Sequence, residues 1–333
     1  MPSATVTTIA VDAMGGDLAP GAVLEGVTSA LAFDPSLLVL LVGDPEIVEP
    51  FAAARERCEA VATTQVIEMG EHPAAAVRAK PDSSVVVGCR LVKEGIADGF
   101  FSAGNTGATM AAATLVIGRI QGVMRPAIAT VLPTAGAPCV LLDVGANADC
   151  RPEHLAQFAS MGAAYATAAL GCREPRVGLL NIGEEPAKGS QLAQDAYKLL
   201  EGTPGFVGNV EGRDIPAGSV DVVVTDGFTG NVALKLMEGM SKHLLGEFKA
   251  ALMSSPASKV AAAVLKRSLS ALRDKLDPDL HGAAPLLGID GLALIGHGSS
   301  SRHAVASALR VGAVAVRAGL VESIAASLAR EGA

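Results

Sequence analysis

The sequence predicts an α/β fold, a three-layer α/β/α sandwich around a largely parallel sheet, and three observations carry that expectation. Apolar, β-rich runs alternate with helix-like stretches along the whole chain, which is the pattern of crossover units. Several of the runs are apolar throughout, as strands covered on both faces are. Five runs end in loops of Gly, Asn, Asp, Thr and Ser that open directly into a helical stretch: Ser102–Ala108, Asp143–Asn147, Asn181–Gly189, Thr225–Asn231 and His297–Ser300.

In chain order, Thr8–Val11 is a strand delivering Asp12 into a double glycine, and Pro20 opens a helix to Ala32, proline being suited to a first helical turn. Leu37–Val42 is a fully apolar strand, followed by a helix over Pro45–Val61, a short strand over Gln65–Ile67 and a helix over Ser83–Ala97. Phe100–Ser102, Ala127–Leu132, Val140–Asp143, Val177–Asn181, Val220–Thr225 and Leu292–Ile295 supply the remaining strands. Helices occupy Gly107–Ile117, Pro152–Leu170, Gln191–Glu201, Asn231–Leu252 and Ser301–Arg330. No Ser/Gly linker, low-complexity tract or repeat divides the chain, so residues 1–333 are read as one domain. Residues 231–276 stay helical with only Ser254-Ser255-Pro256 as a break, which predicts a hairpin projecting from the body.

Composition narrows the function. Half of the 333 residues are hydrophobic, enough for a large core, and the apolar stretches are interrupted by charge, as Val305–Val321 is by Arg310 and Arg317. The sequence therefore predicts no transmembrane span, no signal peptide and a cytoplasmic protein. A net charge of −8, with no tryptophan and only two tyrosines, disfavours nucleic-acid binding. Cys58, Cys89, Cys139, Cys150 and Cys172 form no paired spacing and are read as reduced structural thiols; a nucleophilic Cys150 lacks a recognisable histidine partner. Neither a Walker loop nor a first-turn dinucleotide fingerprint occurs, and the histidines and acids lack metal-ligand spacing, so no cofactor and no metal are expected.

Glycine loops at strand ends let backbone N–H groups and helix N-termini approach an anion, which suits a phosphate or a developing oxyanion. Asp12 either orients another polar group or caps a helix. Asn105 and Thr106 offer neutral donors, and Asp143, Asn147, Asn181 and Asp226 populate the other loops. Lys188 lies beside Glu184 and Glu185; it neutralises phosphate, or the three form a solvated helix start. Asn231 is a site candidate, whereas Lys235 could simply mark an exposed helix side. His297 is an oxyanion donor, an acid/base, or structural, with Ser299 and Ser300 capping the last helix. Near one helical face, Val260, Leu265 and Leu269 are accompanied by Lys259, Lys266 and Arg267; this stretch meets an anionic membrane, a partner or another subunit.

These motifs in this order resemble the PlsX family of bacterial phosphate acyltransferases, which serve phospholipid synthesis. The resemblance rests on Asp12-Ala-Met-Gly-Gly-Asp17, Ser83-Ser84, Ser102-Ala-Gly-Asn-Thr-Gly-Ala108, Arg125-Pro-Ala-Ile128, Asp143-Val-Gly-Ala-Asn147, Asn209-Val-Glu-Gly212, Asp226-Gly-Phe-Thr-Gly-Asn231 and His297-Gly-Ser-Ser300. It departs at Leu280-His-Gly-Ala-Ala284 and at Ser301-Arg-His303. The resemblance implies a fold related to isocitrate/isopropylmalate dehydrogenases and phosphotransacetylases, a homodimer and peripheral contact with the inner membrane face. It also implies an acyl carrier protein donor, inorganic phosphate as acceptor, and an acyl phosphate product for a membrane glycerol-3-phosphate acyltransferase. In that reaction Lys188, Asn231, His297 and Asn105 are the expected catalytic groups. A coenzyme A-dependent phosphotransacetylase and a non-catalytic carrier-binding membrane scaffold are the competing readings.

Overall fold

A computed structural model describes residues 6–265 and 282–331. Its centre is an eleven-stranded sheet. The strands are β1 (Thr7–Asp12), β2 (Leu37–Gly43), β3 (Cys58–Ala62), β4 (Gly99–Ser102), β5 (Ala127–Leu132), β6 (Cys139–Leu142), β7 (Val177–Leu180), β8 (Phe206–Val210), β9 (Val222–Val224), β10 (Ala284–Leu287) and β11 (Leu292–Ile295). Their spatial order is β3-β2-β1-β4-β11-β10-β5-β6-β9-β7-β8.

Two parallel blocks make up this sheet. Strands β3, β2, β1, β4 and β11 run one way, and β6, β9, β7 and β8 are mutually parallel. Between the blocks β10 is antiparallel to both β11 and β5, and β5 is antiparallel to β6. Three reversals in succession turn the second block against the first. The carboxyl ends of β1, β4 and β11 therefore lie at one edge of the sheet, and those of β6, β7 and β9 at the opposite edge.

The side-chain period of two divides each strand between two cores. Ile9, Val11, Val140 and Leu142 join one cluster, with Val27 and Leu31 of α1 (Gly21–Phe33), Val48 of α2 (Pro45–Ala53), Phe158 of α6 (Pro152–Leu170), Leu200 of α7 (Gln191–Leu200) and Leu309 of the helix Arg302–Arg317. Ala10, Cys139 and Leu141 face the other, with Val77 of α3 (Pro73–Ala79), Val85 of α4 (Ser84–Lys93), Ala108 of α5 (Thr106–Ala112) and Ile215 of α8 (Asp214–Ala217). Helices on both faces of a mostly parallel sheet give the three layers.

Several elements differ from the sequence reading. The helix expected over Pro45–Val61 ends at Ala53, because Arg57 turns the chain with φ 60° and its guanidinium bonds the carbonyls of Leu31, Asp34 and Leu37. Cys58–Ala62 then pairs with Val39–Gly43 as an edge strand. Gln65–Ile67 is not a sheet strand: Gln65 forms an isolated bridge with Ser83, and Ile67 is buried in the core. Strands β8 and β10 were not anticipated. The expected long C-terminal helix is two, α11 (Arg302–Arg317) and α12 (Leu320–Glu331), which meet at 52° around Gly319, φ 64°.

Helix α9 (Gly227–Met253) starts four residues before Asn231, capped by Asp226. Its first turns pack on the sheet through Ala233, Leu234 and Met237. Beyond them its large apolar side chains are exposed, and α10 (Pro256–Val264) packs back against it. Lys259 and Leu265 are exposed at this tip; Lys266, Arg267 and Leu269 lie outside the described residues. Among the described residues no single helix is long and apolar enough to cross a membrane.

Candidate active site

The five glycine loops form two clusters, one at each edge of the sheet, instead of a single crevice. The reversal through β10, β5 and β6 is the cause, and it could not be anticipated without seeing β10.

At the first edge the buried Asp12 ties β1 to β4. Its Oδ1 accepts from Met14 N at 3.0 Å and its Oδ2 from Ser102 Oγ at 2.7 Å, while Ser102 Oγ accepts from Gly104 N at 3.0 Å. Burial pushes the Asp12 carboxyl above the ordinary carboxylate range, opposed by hydroxyl donors from Ser84 and Ser102 and by N–H groups of Met14 and Gly15. A Cβ on Gly15 would stand 2.4 Å from Asp12 Oδ2 and 2.7 Å from Gly104 N, so only glycine lets the two loops touch. Asp12 thus positions its neighbours; the N-cap of α1 is Pro20.

Asn105, expected as an oxyanion donor, is instead a clasp in this structure. Its Oδ1 caps α5 by accepting from Ala108 N at 3.0 Å, and its Nδ2 donates to the carbonyls of Met69 at 2.9 Å, Glu71 at 3.2 Å and Glu68 at 3.4 Å. Both amide hydrogens are engaged, which fixes the 68–72 loop over the Ser102–Ala108 loop. Thr106, at the start of α5, is exposed. His297 is exposed too, with Nδ1 2.8 Å from Ser299 Oγ, and Asp17 N bonds Gly298 O at 2.7 Å. Ser300 is buried with its hydroxyl unpartnered. The cap of α11 is Ser301, whose Oγ accepts from Ala304 N at 3.3 Å, and not Ser299 or Ser300.

At the opposite edge Asp143 organises everything near it. Oδ1 accepts from Ile128 N at 3.0 Å, Gly145 N at 3.2 Å and Ala146 N at 3.0 Å; Oδ2 accepts from Asn147 N at 2.7 Å and Asn147 Nδ2 at 2.9 Å. Burial raises the Asp143 carboxyl, and these donors oppose the rise. Asn147 Nδ2 also reaches Pro126 O at 2.8 Å, and Asn231 Nδ2 donates to Val144 O at 2.9 Å. Helix α9 approaches so closely that a Cβ on Gly230 would lie 2.0 Å from Asp143 O. Asp226 is a helix cap, accepting from Thr229 N at 2.9 Å and Thr229 Oγ1 at 2.7 Å.

The 181–189 loop closes on itself. Asn181 Nδ2 donates to Lys188 O at 3.1 Å, and Asn209 Nδ2 donates to Glu185 O at 2.9 Å. Glu184 faces Arg213 at 3.7 Å. Lys188 is exposed, and among the described residues no carboxylate pairs with it. The sequence reading passed over Ser84 and Ser102 as partners of Asp12, and Asn209 as the prop under the lysine loop; the Ser83-Ser84 and Asn209–Gly212 motifs were their only trace.

Comparison with known proteins fits this chain into one family. A family model described as "Fatty acid synthesis protein" matches residues 7–323. Proteins named phosphate acyltransferase are similar throughout: that of Desulfitobacterium hafniense (strain DSM 10664 / DCB-2) is 49% identical over 328 residues, 97% of this chain and 98% of its own length. That of Heliobacterium modesticaldum is 48% identical over 322 residues, 95% and 96% of the two lengths. The chain belongs to the phosphate acyltransferase family. It is therefore an enzyme, an acyltransferase.

Among solved structures, a phosphotransacetylase from Streptococcus pyogenes superposes with TM-score 0.59 at 17% identity, covering 93% of this chain and 94% of that one. A 4-hydroxythreonine-4-phosphate dehydrogenase from Burkholderia phymatum gives 0.51 at 15%, covering 93% and 98%. At such identities these share the fold. For acyl transfer Cys150 is poorly suited as a nucleophile, because burial pushes its thiol up to about 11, leaving little thiolate at neutral pH.

Proposed function

We propose that this phosphate acyltransferase moves a long-chain fatty acyl group from an acyl carrier protein thioester to inorganic phosphate. A phosphate oxygen attacks the thioester carbonyl, the tetrahedral oxyanion collapses, the C–S bond breaks, and the proton of hydrogen phosphate ends on the departing thiolate. The products are acyl phosphate and free carrier thiol. Phosphate is already an anionic nucleophile, so positioning and oxyanion donors matter more than a strong base.

The observation that carries this reading is Lys188: an ammonium with no carboxylate partner among the described residues, on a loop held by Asn181 and Asn209, at the same sheet edge as Asn231 and the Asp143–Asn147 loop. Lys188 holds the phosphate, and Asn231, anchored through one amide hydrogen, keeps its second for the reacting oxygens. The exposed apolar row of α9 serves a homodimer, and the α9–α10 tip a peripheral contact with the cytoplasmic membrane face, where acyl phosphate passes to a glycerol-3-phosphate acyltransferase.

The test is an incubation with long-chain acyl carrier protein and inorganic phosphate, following carrier thiol and hydroxylamine-trappable acyl phosphate together. Equimolar, phosphate-dependent appearance of both is expected. Thiol without acyl phosphate means hydrolysis and overturns the proposal; turnover of coenzyme A esters alone would move the chain to the phosphotransacetylase reading.

A further inference from the structure

Two arginines of one connection, Arg119 and Arg125, meet a third, Arg151, beside the Asn147 loop. Arg119 Nη1 bonds the Met124 carbonyl, Arg151 Nη2 lies 3.9 Å from Met124 Sδ, and Arg125 is the next residue. His154, 3.4 Å from Arg151 Nε, completes the group; its pKa is lowered by burial first and then by the charges of Arg151 and Arg125. All three guanidinium side chains are exposed, and among the described residues none makes an ion pair. Asp149, Glu153 and Asp290 stand in the neighbourhood without pairing to them.

Three guanidinium groups without an ion pair among the described residues stand out in a chain of net charge −8, and at His154 the charges of Arg151 and Arg125 outweigh that of Glu153. The set is also placed at the site: Pro126, directly after Arg125, gives its carbonyl to Asn147, whose amide is locked to Asp143. A groove of about 820 Å³ continues from Arg119 and Gln157 to Ala325 and Leu328 of α12.

The geometry points to this arginine patch as the docking surface for the acidic face of the small protein that carries the acyl thioester. The inference rests on the carrier-protein reading above. Long-range attraction between opposite charges guides encounter and orientation, and a carrier docked on Arg119, Arg125 and Arg151 has its thioester arm beside the edge that bears Asn231 and Lys188. The patch lies outside the reacting groups, so it governs carrier affinity and not the chemical step.

The test compares Arg119→Glu, Arg125→Glu and a remote control, Arg173→Glu, in the full-length enzyme, with acyl carrier protein and with a small acyl-pantetheine thioester. Each patch variant is expected to raise the KM for the carrier roughly tenfold, with a weaker salt dependence, and to leave the small thioester and the phosphate KM unchanged. An unchanged carrier KM overturns the docking surface, as does an equal loss on both thioesters. Loss of anionic-vesicle binding with carrier kinetics intact overturns it in favour of a membrane contact. Wild-type turnover of the small thioester but not of the carrier protein would instead overturn the donor assignment itself, and the docking surface with it.

Discussion

Asn231 and Val144 are joined across 87 residues of sequence by a hydrogen bond of 2.9 Å from the asparagine Nδ2 to the backbone carbonyl. That bond fixes the first turns of α9 against the loop that Asp143 shapes, and it sets the direction of the remaining amide hydrogen. Asn231→Ala should lower kcat by about 10²-fold or more if the free hydrogen serves the oxyanion, with a stability loss of only about 1 kcal/mol from the missing anchor. Steady-state kinetics alongside urea unfolding separates the two effects; a kcat within twofold of wild type removes Asn231 from the reaction.

Lys188 presents the contrary case, a side chain on which the fold does not depend. It is exposed and unpaired, so Lys188→Ala should leave thermal stability unchanged. The KM for phosphate should rise by about tenfold or more, since the charge it brings to the dianion is gone. Activity measured over a wide phosphate range decides the point, and an unaltered phosphate dependence assigns Lys188 elsewhere.

Much of the sheet is legible in the chain because β2 reads as an apolar run and the centres of β1 and β4, Ile9–Val11 and Phe100–Phe101, are apolar and buried. Strands β8 and β10 are not. Gly208 interrupts the first, and Pro285, a residue that normally argues against an inner strand, sits in the second. Yet β10 supplies two of the reversals that place Asp12 and Asp143 at opposite edges, so a few unrecognised residues change which loops can share a site. Asp143 illustrates the same limit locally: its motif marked a polar loop, but its partner Ile128 N arrives only through the pairing of β5 with β6. Lys188 could be picked out as a candidate because the lysine, its glycines and its carboxylates share one loop, whereas the meeting of Arg119 and Arg151 at Met124 exists only in three dimensions.

The pair Arg176–Asp221 gives the second block a pH dependence of stability. Arg176 Nε reaches Asp221 Oδ2 at 3.0 Å, Nη2 reaches Oδ1 at 3.1 Å, and the Arg176 backbone N reaches Oδ2 at 2.8 Å, clamping the start of β7 to that of β9. The Arg176 hydrogen bonds hold the Asp221 carboxyl below its ordinary value of 3.8, overcoming the opposite effect of burial. A carboxyl depressed in the folded state binds more protons when unfolded, so its stabilisation is complete above pH 3.8 and fades as pH falls through the lower folded value. Arg176→Ala should cost about 1 kcal/mol at neutral pH, discounted because the arginine is half exposed. The difference from wild type should shrink in acid, as followed by thermal unfolding from neutral pH down to pH 3; a constant difference contradicts the assignment.

The row Phe228, Val232, Leu236, Met240, Leu244 and Phe248 on α9 is exposed along its length. Its four-residue spacing makes it one ridge of the helix surface, and the ridges formed by every fourth residue interlock when two helices cross at roughly −50°. Two copies of α9 can therefore interlock where they cross, around Leu236 and Met240 at the middle of the row, and in a two-fold dimer each substitution acts twice. A fully buried leucine or methionine contributes roughly 1.5–3 kcal/mol, so Leu236→Glu with Met240→Glu should weaken self-association by about a hundredfold or more. Neither side chain packs on the sheet, so circular dichroism should be unchanged. Sedimentation velocity should show a dimer for the wild type and a monomer for the double variant at micromolar concentration; a monomeric wild type removes the interface. A variant that sediments as the wild type does, yet no longer floats with anionic vesicles, would make this row a membrane contact instead of a subunit interface.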